Sequence, residues 1–339
     1  MTTLFRDIKQ KAEEIDFSGV VSVVKNDTAI FTNAFGYRDI SNKLPNDANT
    51  KFGIASGTKF FTALGIGTLI EQNKIKLDTE IGEIFNEPTP FIDRKATIKH
   101  LLTHTSGVYD YYDEELTTDF DNFFVELPWY KLETPTDYLP LFIDKKMKFT
   151  PGERASYSNG GYVLLGIIIE RIAKKLYRDY IKENVLDAAG MTDSHFYAFN
   201  DLPQNTALGY KKDNTTNIYN LPIRGGGDGG LYTTASDLNK FWKHLFSYDI
   251  ISEKLLQDFV SPHVNIWENV EYGYGIYISK INEEQTYFIT GSDAGIGFCS
   301  EYVPAEKLII NVLSNRTNGA AEIVNIIDNH VQSGKGTII

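Results

Sequence analysis

The residues of this chain with the clearest potential for chemistry are Ser56 and Lys59, which stand three apart in the stretch 52–73. Apolar residues at helical spacing predict that this stretch is a long helix with Ser56 at its N-terminal end. These residues are Phe60, Phe61, Leu64, Leu69 and Ile70. Residues three apart lie on one face of a helix, so the hydroxyl and the ammonium can meet. A lysine that is removed from water has a lowered pKa and can help to take the proton of a serine nucleophile.

The Ser-x-x-Lys spacing also fits a serine that caps a helix beside a surface lysine, so the choice depends on other motifs. One is the Tyr-Ser-Asn triplet at 157–159, and another is the Thr-Gly-Ser-Asp run at 290–293. Together with Ser56 and Lys59, these motifs resemble the three elements of the penicillin-recognising serine hydrolases. The Tyr-x-Asn form is similar to that of class C β-lactamases and of the related esterases, D-aminopeptidases and D-alanyl-D-alanine peptidases.

The resemblance extends over most of the chain. The blocks 97–107, 229–238 and 272–275 match further landmarks of the family in the expected order. On these motifs the chain is identified as a member of the serine β-lactamase and penicillin-binding-protein-like family.

This resemblance implies an acyl-enzyme mechanism with Ser56 as the nucleophile. Lys59 and Tyr157 would share the work of the base, because a cation beside a phenol lowers its pKa and a phenolate can accept the serine proton. Which of the two is the base stays open. The predicted substrate and oxyanion residues are Asn159, Thr290, Gly291, Ser292 and Asp293. By resemblance, Asn159 would hold Lys59 and a substrate carbonyl, and the backbone N–H groups of Ser56 and Ser292 would form the oxyanion hole.

One position departs from the family pattern. Ile289 stands before Thr-Gly where the family has Lys or His. The change leaves a backbone oxyanion hole intact, but it removes the partner of a substrate carboxylate, and Asp293 adds a negative charge nearby. We therefore expect a neutral or amine-bearing substrate, unless Arg224 swings into the place of the missing cation.

The elements that must position these residues follow from periodicity and turn signals. Two β-rich runs, 19–25 and 28–37, are joined by Asn26-Asp27 and predict a hairpin. Further strands are predicted at 274–280, 287–290, 297–303 and 308–313, and helices near 98–102, 135–142, 160–173, 235–246, 252–260 and 320–331. Strands at both ends that enclose helices predict one α/β (α+β) domain built from both termini, with a helical domain inserted.

The resemblance implies the β-lactamase/transpeptidase-like form of this class, an antiparallel sheet flanked by helices plus an inserted all-helical domain. We expect the sheet domain to comprise 1–60 and 265–339 and the mostly helical domain to comprise 61–264. The active site would lie in the cleft between them.

The net charge and its distribution narrow the classes of partner that the protein is expected to bind. The net charge of −12 is spread without an acidic tail or a basic stripe, which argues against nucleic acid and anionic membranes. Cys299 has no cysteine partner and is expected to be buried on a strand. The N-terminal stretch predicts an amphipathic helix with Leu4, Ile8 and Ala12 on one side instead of a secretory signal, and no stretch is long enough to span a bilayer. We expect a soluble cytoplasmic protein, or an exported one if a leader was removed.

Three other patterns have competing interpretations. His100 and His104 have a spacing that can bind zinc, but they lack a third ligand nearby and fit a structural motif better. The glycine cluster 225–230 lacks the Lys-Ser/Thr of a phosphate loop and is predicted to be a flexible wall of the cleft. Aromatic residues between 109 and 130 fit cleft lining and helical-domain packing equally well. They are Tyr109, Tyr111, Tyr112, Phe120, Phe123, Phe124, Trp129 and Tyr130.

The sequence thus predicts a serine hydrolase that needs no metal or cofactor and acts on a small-molecule ester, amide or peptide. Within the same class, the alternative is a β-lactamase or a D-alanyl-D-alanine carboxypeptidase. From another class, the alternative is a non-catalytic binding or sensor domain on the same fold. The oligomeric state stays open.

Overall fold

The computed structural model describes residues 3–85, 92–268, 270–281, 283–317 and 319–332. The helices are α1 (Thr3–Glu14), α2 (Thr58–Glu71), α3 (Ile81–Ile84), α4 (Ile98–Leu102), α5 (Asn159–Ala173), α6 (Tyr177–Ile181), α7 (Ala235–Phe246), α8 (Glu253–Phe259) and α9 (Ala320–Gln332). The strands are β1 (Gly19–Lys25), β2 (Thr28–Phe35), β3 (Tyr37–Asp39), β4 (Leu44–Pro45), β5 (Phe52–Gly53), β6 (Tyr232–Thr233), β7 (Val264–Trp267), β8 (Val270–Tyr272), β9 (Tyr277–Ile281), β10 (Glu284–Asp293), β11 (Ile296–Val303) and β12 (Leu308–Ser314).

The main sheet has eight antiparallel strands in the order β2-β1-β12-β11-β10-β9-β8-β7. Strand β1 pairs with β2 on one side and with β12 on the other, so both ends of the chain meet within the sheet. Helices α1 and α9 cover one face through a separate apolar cluster, and α7 packs against β1 and β12. The predicted fold class, an antiparallel sheet flanked by helices, is confirmed.

The N-terminal elements have the predicted form. Asn26 and Asp27 have φ angles of 50° and 61°, the left-handed values that a two-residue hairpin turn requires. Helix α1 buries Leu4, Ile8 and Ala12. Met1 and Thr2, which begin the predicted helix, lie outside the described residues.

Helix α2 is the central helix, since every residue from Thr58 to Leu69 is buried. A helix that is apolar on all sides belongs in a core, and α2 packs against α5 and α6. The contact is close at Gly65, where a Cβ atom would lie 2.5 Å from Cδ1 of Ile181. Ser56 lies directly before the N-terminal end of this buried helix.

Some predicted elements differ from the structure. The helix predicted at 135–142 is a 3-10 helix, Pro135–Leu141, and Pro140 lacks the N–H that an α-helix would need there. The strand predicted from Tyr274 starts at Tyr277, because Gly275 turns the backbone with a φ of 82°. The short strands β7 and β8 were not predicted.

Two expectations concern the whole chain. Within the part of the chain that the structure describes, no helix is both long enough and apolar enough to cross a membrane; the cytoplasmic location stays a prediction. The division into 1–60 with 265–339 and 61–264 also stays a prediction, and parts of these ranges, such as 86–91 and 333–339, lie outside the described residues. Cys299 is buried on β11, as predicted.

Candidate active site

Ser56 lies in a 3-10 turn, Ala55–Gly57, directly before α2. Ala55 has a φ of 44°, a left-handed value that a residue with a Cβ keeps only when its surroundings hold it. The Thr58 hydroxyl supplies that support, because it donates to the carbonyl O of Ala55 at 2.7 Å and accepts the N–H of Leu231 at 3.0 Å. The N-cap of α2 is Gly57, without a side-chain cap, so Ser56 does not cap this helix.

Lys59 is not a surface residue, since only 2% of it is exposed. Its Nζ lies 3.0 Å from Ser56 Oγ, 2.8 Å from Asn159 Oδ1 and 2.7 Å from the carbonyl O of Asp228. Asn159 Oδ1 and the carbonyl O of Asp228 can only accept hydrogen bonds, so each of them takes one N–H of Lys59. The remaining tetrahedral position of Nζ faces Ser56. This position holds an N–H when Lys59 is an ammonium and a lone pair when it is a neutral amine.

The pKa of Lys59 is set by opposing effects. Burial lowers this pKa, and the surrounding carboxyl groups raise it, Asp228 first and then Glu114, Asp110 and Asp293. Burial is the larger effect, so the pKa lies below its usual value. The neutral amine is therefore easier to reach here than at a surface lysine.

Tyr157 lies beside the serine, near enough for its side chain to interact with that of Ser56. Lys59 Nζ lies 4.8 Å from the centroid of the Tyr157 ring, so the cation faces the ring. Burial and the nearby Tyr277 hold the pKa of Tyr157 well above its usual value, and the interaction with Ser56 only partly opposes them. The direction of this shift is opposite to the lowering expected from Lys59, and it favours the neutral phenol over the phenolate.

Asn159 begins α5 and is fixed by a buried carboxyl group. Asp110 accepts the backbone N–H of Asn159 at 3.0 Å, its Nδ2 at 3.2 Å and the N–H of Gly160 at 3.1 Å. Because the amide nitrogen is held by Asp110, the amide oxygen is left to face Lys59. Burial raises the pKa of Asp110 to about 7, against these hydrogen bonds.

Strand β10 passes beside the serine turn. A Cβ atom at Gly291 would lie 2.2 Å from the carbonyl O of Ile54 and 2.8 Å from the backbone N of Ser56, so only glycine allows this approach. Ser292 follows and lines the same cleft as Ser56. Thr290 does not line the cleft, because its hydroxyl donates to the carbonyl O of Phe298 on β11 at 2.8 Å.

The cleft that contains Ser56 has a volume of about 760 Å³ when its open part is included. Four of the predicted site residues line it: Ser56, Asn159, Ser292 and Asp293. Lys59 reaches the cleft through its hydrogen bond to Ser56, and Tyr157 lies beside the same serine. The structure therefore brings together all the predicted residues except Thr290, whose hydroxyl is bound to β11, and Gly291, which contributes only its backbone.

The charge of the cleft comes from carboxyl groups. Glu114, Asp228 and Asp293 line it, and among the described residues that line it there is no Lys, Arg or His. Burial, with smaller contributions from Glu114 and Asp228, raises the pKa of Asp293 to about 7. Burial also raises the pKa of Glu114 and that of Asp228, and Asp228 accepts a hydrogen bond from the hydroxyl of Tyr111.

Within the described part of the chain, no basic side chain lines the cleft in place of the missing family cation. Ile289 is 1% exposed and belongs to the main apolar core. Arg224 donates from Nη1 to the carbonyl O of Phe196 at 3.1 Å and does not line the cleft. The cleft thus keeps the acidic character that Ile289 and Asp293 predicted.

Only some of the aromatic residues fit the two predicted uses, and Tyr109 is one that packs against the main apolar core. Tyr111, Tyr112 and Trp129 line the cleft, whereas Phe124 and Tyr130 are exposed.

The glycine cluster supplies a wall, as predicted, through Gly225, Gly229 and Gly230. Its glycines allow close packing, since a Cβ atom at Gly227 would lie 2.2 Å from the carbonyl O of Tyr162.

Sequence reasoning missed three acidic residues of the site: Asp110, Glu114 and Asp228. Asp228 lies inside the glycine cluster, where a single charged residue among glycines was the available signal.

The histidine pair serves structure, because Nδ1 of His100 accepts the N–H of Thr97 at 3.2 Å and caps α4. Among the described residues, no group of His, Cys, Asp and Glu forms a metal site.

The chain is similar to known proteins along nearly its whole length. The family model described as Beta-lactamase matches residues 4–331. Penicillin-binding protein 4* of Bacillus subtilis (strain 168) is 29% identical over 337 residues, which cover 93% of this chain and 71% of that protein. A penicillin binding protein from Bacillus halodurans has a crystal structure that is 38% identical with a TM-score of 0.89, over 95% of this chain and 99% of that one. D-amino acid amidase from Ochrobactrum anthropi SV3 shares the fold at 22% identity, with a TM-score of 0.80 over 99% and 100% of the two chains.

Proposed function

Because the chain belongs to the Beta-lactamase family of serine hydrolases, we propose that it forms an acyl-enzyme at Ser56 and hydrolyses small esters or amides whose acyl part is neutral or carries a free amine. The observation that carries the proposal is the set of three hydrogen bonds at Lys59 Nζ. Asn159 and Asp228 orient the amine so that its remaining position faces the serine hydroxyl.

We assign the base role to Lys59 in its neutral form. Lys59 takes the proton of Ser56 while Ser56 Oγ bonds to the substrate carbonyl carbon, and the backbone N–H groups of Ser56 and Ser292 stabilise the oxyanion. The proton then passes to the leaving group by way of the neutral Tyr157 hydroxyl, and the bond to the leaving group breaks. Deacylation repeats these steps with water as the nucleophile, and Ser56 regains its proton.

The carboxyl groups of the cleft support the choice of substrate. Asp293 directly follows Ser292, and both residues line the cleft that contains Ser56. An ammonium that binds a carboxylate there gains about 1.5–3 kcal/mol from a charge-assisted hydrogen bond. A substrate carboxylate would instead meet Asp293, Glu114 and Asp228 without a cation in the cleft lining.

The second candidate function is penicillin binding, after which the similar proteins are named. The similar proteins from Bacillus subtilis and Bacillus halodurans are named penicillin-binding proteins, which favours a protein that binds penicillin or acts on D-alanyl peptides. Such ligands carry a carboxylate, and the acidic cleft argues for weak hydrolysis of penicillins and cephalosporins.

The test compares matched acyl donors in a burst assay. One pair carries an amine that is either free or acetylated, and a second carries a carboxylate that is either free or amidated. We expect the free amine and the amidated carboxylate to give the higher kcat/KM. A preference of tenfold or more for the free carboxylate, about 1.4 kcal/mol, would contradict the proposed substrate class. Release of one equivalent without turnover would instead indicate a sensor, and no release would indicate an inactive scaffold.

A further inference from the structure

His104 contacts Tyr157 and both of its chain neighbours. The carbonyl O of His104 accepts the N–H of Ser156 at 2.9 Å, and its Nδ1 accepts the N–H of Ser158 at 3.0 Å. The imidazole lies against the phenol ring of Tyr157, with the ring centroids 4.5 Å apart. Since His104 is only 1% exposed, these contacts are made inside the protein.

The backbone at His104 is unusual for this side chain. Its φ is 58°, and it directly follows Thr103, the C-cap of α4. Glycine or asparagine is the common choice at this left-handed position after a helix. A histidine there carries a conformational cost, which its three contacts with the 156–158 segment offset.

The hydrogen bonds around His104 fix where its proton lies. Nδ1 accepts from Ser158 and therefore carries no hydrogen, while Nε2 lies 3.2 Å from the hydroxyl O of Tyr272. An imidazole whose Nδ1 accepts a hydrogen bond carries its proton on Nε2, so Nε2–H donates to the hydroxyl O of Tyr272. The ring is neutral, with its proton on Nε2.

The groups that face His104 keep it neutral. They are Lys59 on α2, Tyr157 before α5, Tyr162 on α5 and Tyr272 on β8. Burial and the charge of Lys59 hold the pKa of His104 well below its usual value. If Nδ1 were protonated, its N–H would point at the backbone N–H of Ser158. The hydrogen bond from Ser158 to Nδ1, which holds the 156–158 segment, would then be lost.

We propose that His104 is a positioning residue for Tyr157: a neutral imidazole that supports the phenol ring and holds the backbone on both sides of it, so that the hydroxyl stays on Ser56. The inference rests on the role proposed above for Tyr157. It explains why a left-handed position is occupied by a histidine.

The kinetic test compares His104→Ala, His104→Asn and the control His100→Ala. His104→Ala should slow acylation of Ser56 by about 100-fold with KM nearly unchanged, because the phenol is misplaced. His104→Asn should recover a large part of this loss, since asparagine adopts the left-handed backbone and offers an acceptor to Ser158. His100→Ala removes a cap of the same helix without contacting Tyr157, and it should leave the acylation rate unchanged. Equal losses in His104→Ala and His100→Ala, or no rescue by asparagine, would overturn the proposal.

The tautomer gives a test that does not depend on activity. Histidine ¹⁵N spectra of the wild-type protein, assigned with His104→Asn, should show His104 neutral with its proton on Nε2 from about pH 5 to 8.5, where an ordinary histidine titrates. A proton on Nδ1, or titration in this range, would overturn the proposal even if the enzyme is active. If the spectra match and Ser56 fails to acylate in the wild type, the proposed function is wrong and the geometry at His104 stands.

Discussion

Lys59 Nζ lies 3.0 Å from Ser56 Oγ in a position that burial protects from solvent. The separation is set by two features of the fold, the 3-10 turn that carries the serine and the buried helix that carries the lysine. A turn of this kind leaves the hydroxyl at the mouth of the cleft while the amine remains behind it. The pair therefore has the geometry of a nucleophile and its base.

The contributions of Lys59 and Tyr157, the two candidates for the general base, can be measured directly. Lys59→Met should slow acylation more than Tyr157→Phe, because the pKa of Tyr157 is raised and only the amine can accept a proton readily. We expect Tyr157→Phe to lose about 10²–10⁴-fold, the range of a proton-transfer group. Stopped-flow acylation rates of the two folded variants provide the measurement. A wild-type rate in Lys59→Met would assign the base to Tyr157.

The oxyanion hole depends on the close approach at Gly291. Gly291→Ala should lower kcat by about 10²–10³-fold, the cost of losing one oxyanion donor, since the new Cβ pushes β10 away from Ser56. Ser292→Ala is the matched control on the same strand and should retain most activity, because the proposed donor at this position is a backbone N–H. Equal kcat values for the two variants would argue against this role of β10.

The preference for amines should depend on pH. Asp293 has a pKa raised to about 7, so its carboxyl group is mostly neutral below that pH and anionic above it. The kcat/KM ratio of an alkylamine substrate to its acetylated form should therefore increase from pH 6 to pH 8, where the amine, with a pKa of about 10.4, remains charged. In Asp293→Asn this increase should disappear while the acetylated substrate is unaffected. An equal increase in the variant would assign the effect to another carboxyl group.

A second buried acid should affect stability. Glu301 on β11 is hydrogen-bonded to Asp328 on α9, and burial and that carboxyl group hold the pKa of Glu301 well above its usual value. The unfolded chain loses this proton at a lower pH than the folded protein, so stability falls as the pH rises above the unfolded value. Glu301→Gln should stabilise the protein at neutral pH and flatten this dependence. Thermal unfolding at several pH values provides the measurement, and a variant that is less stable than the wild type at neutral pH would contradict this explanation.

Much of the site follows from local spacing, and the rest depends on distant segments. The contact of Ser56 with Lys59 follows from the helical repeat, and the sheet follows from its strand pattern. Asp228 could not be predicted as a partner, because it acts through a backbone carbonyl that is 169 residues from Lys59.

Burial and strand register explain two further differences. The pKa of Tyr157 depends on burial and on Tyr277 and Tyr272, which strands β8 and β9 bring to it. Thr290 lies on the same face of β10 as Ser292, but its hydroxyl is bound to the carbonyl O of Phe298 and does not line the cleft, whereas Ser292 is held near Ser56 by the close passage of Gly291.

The central claim is that Ser56 carries the acyl group. Mass spectrometry of the protein, quenched during turnover of an amine-bearing ester or after reaction with a fluorophosphonate, tests it most directly. We predict one adduct, mapped to the peptide with Ser56, and none in Ser56→Ala, whose turnover should fall by about 10⁴–10⁶-fold. An adduct on a different residue, or full turnover in Ser56→Ala, would contradict the account.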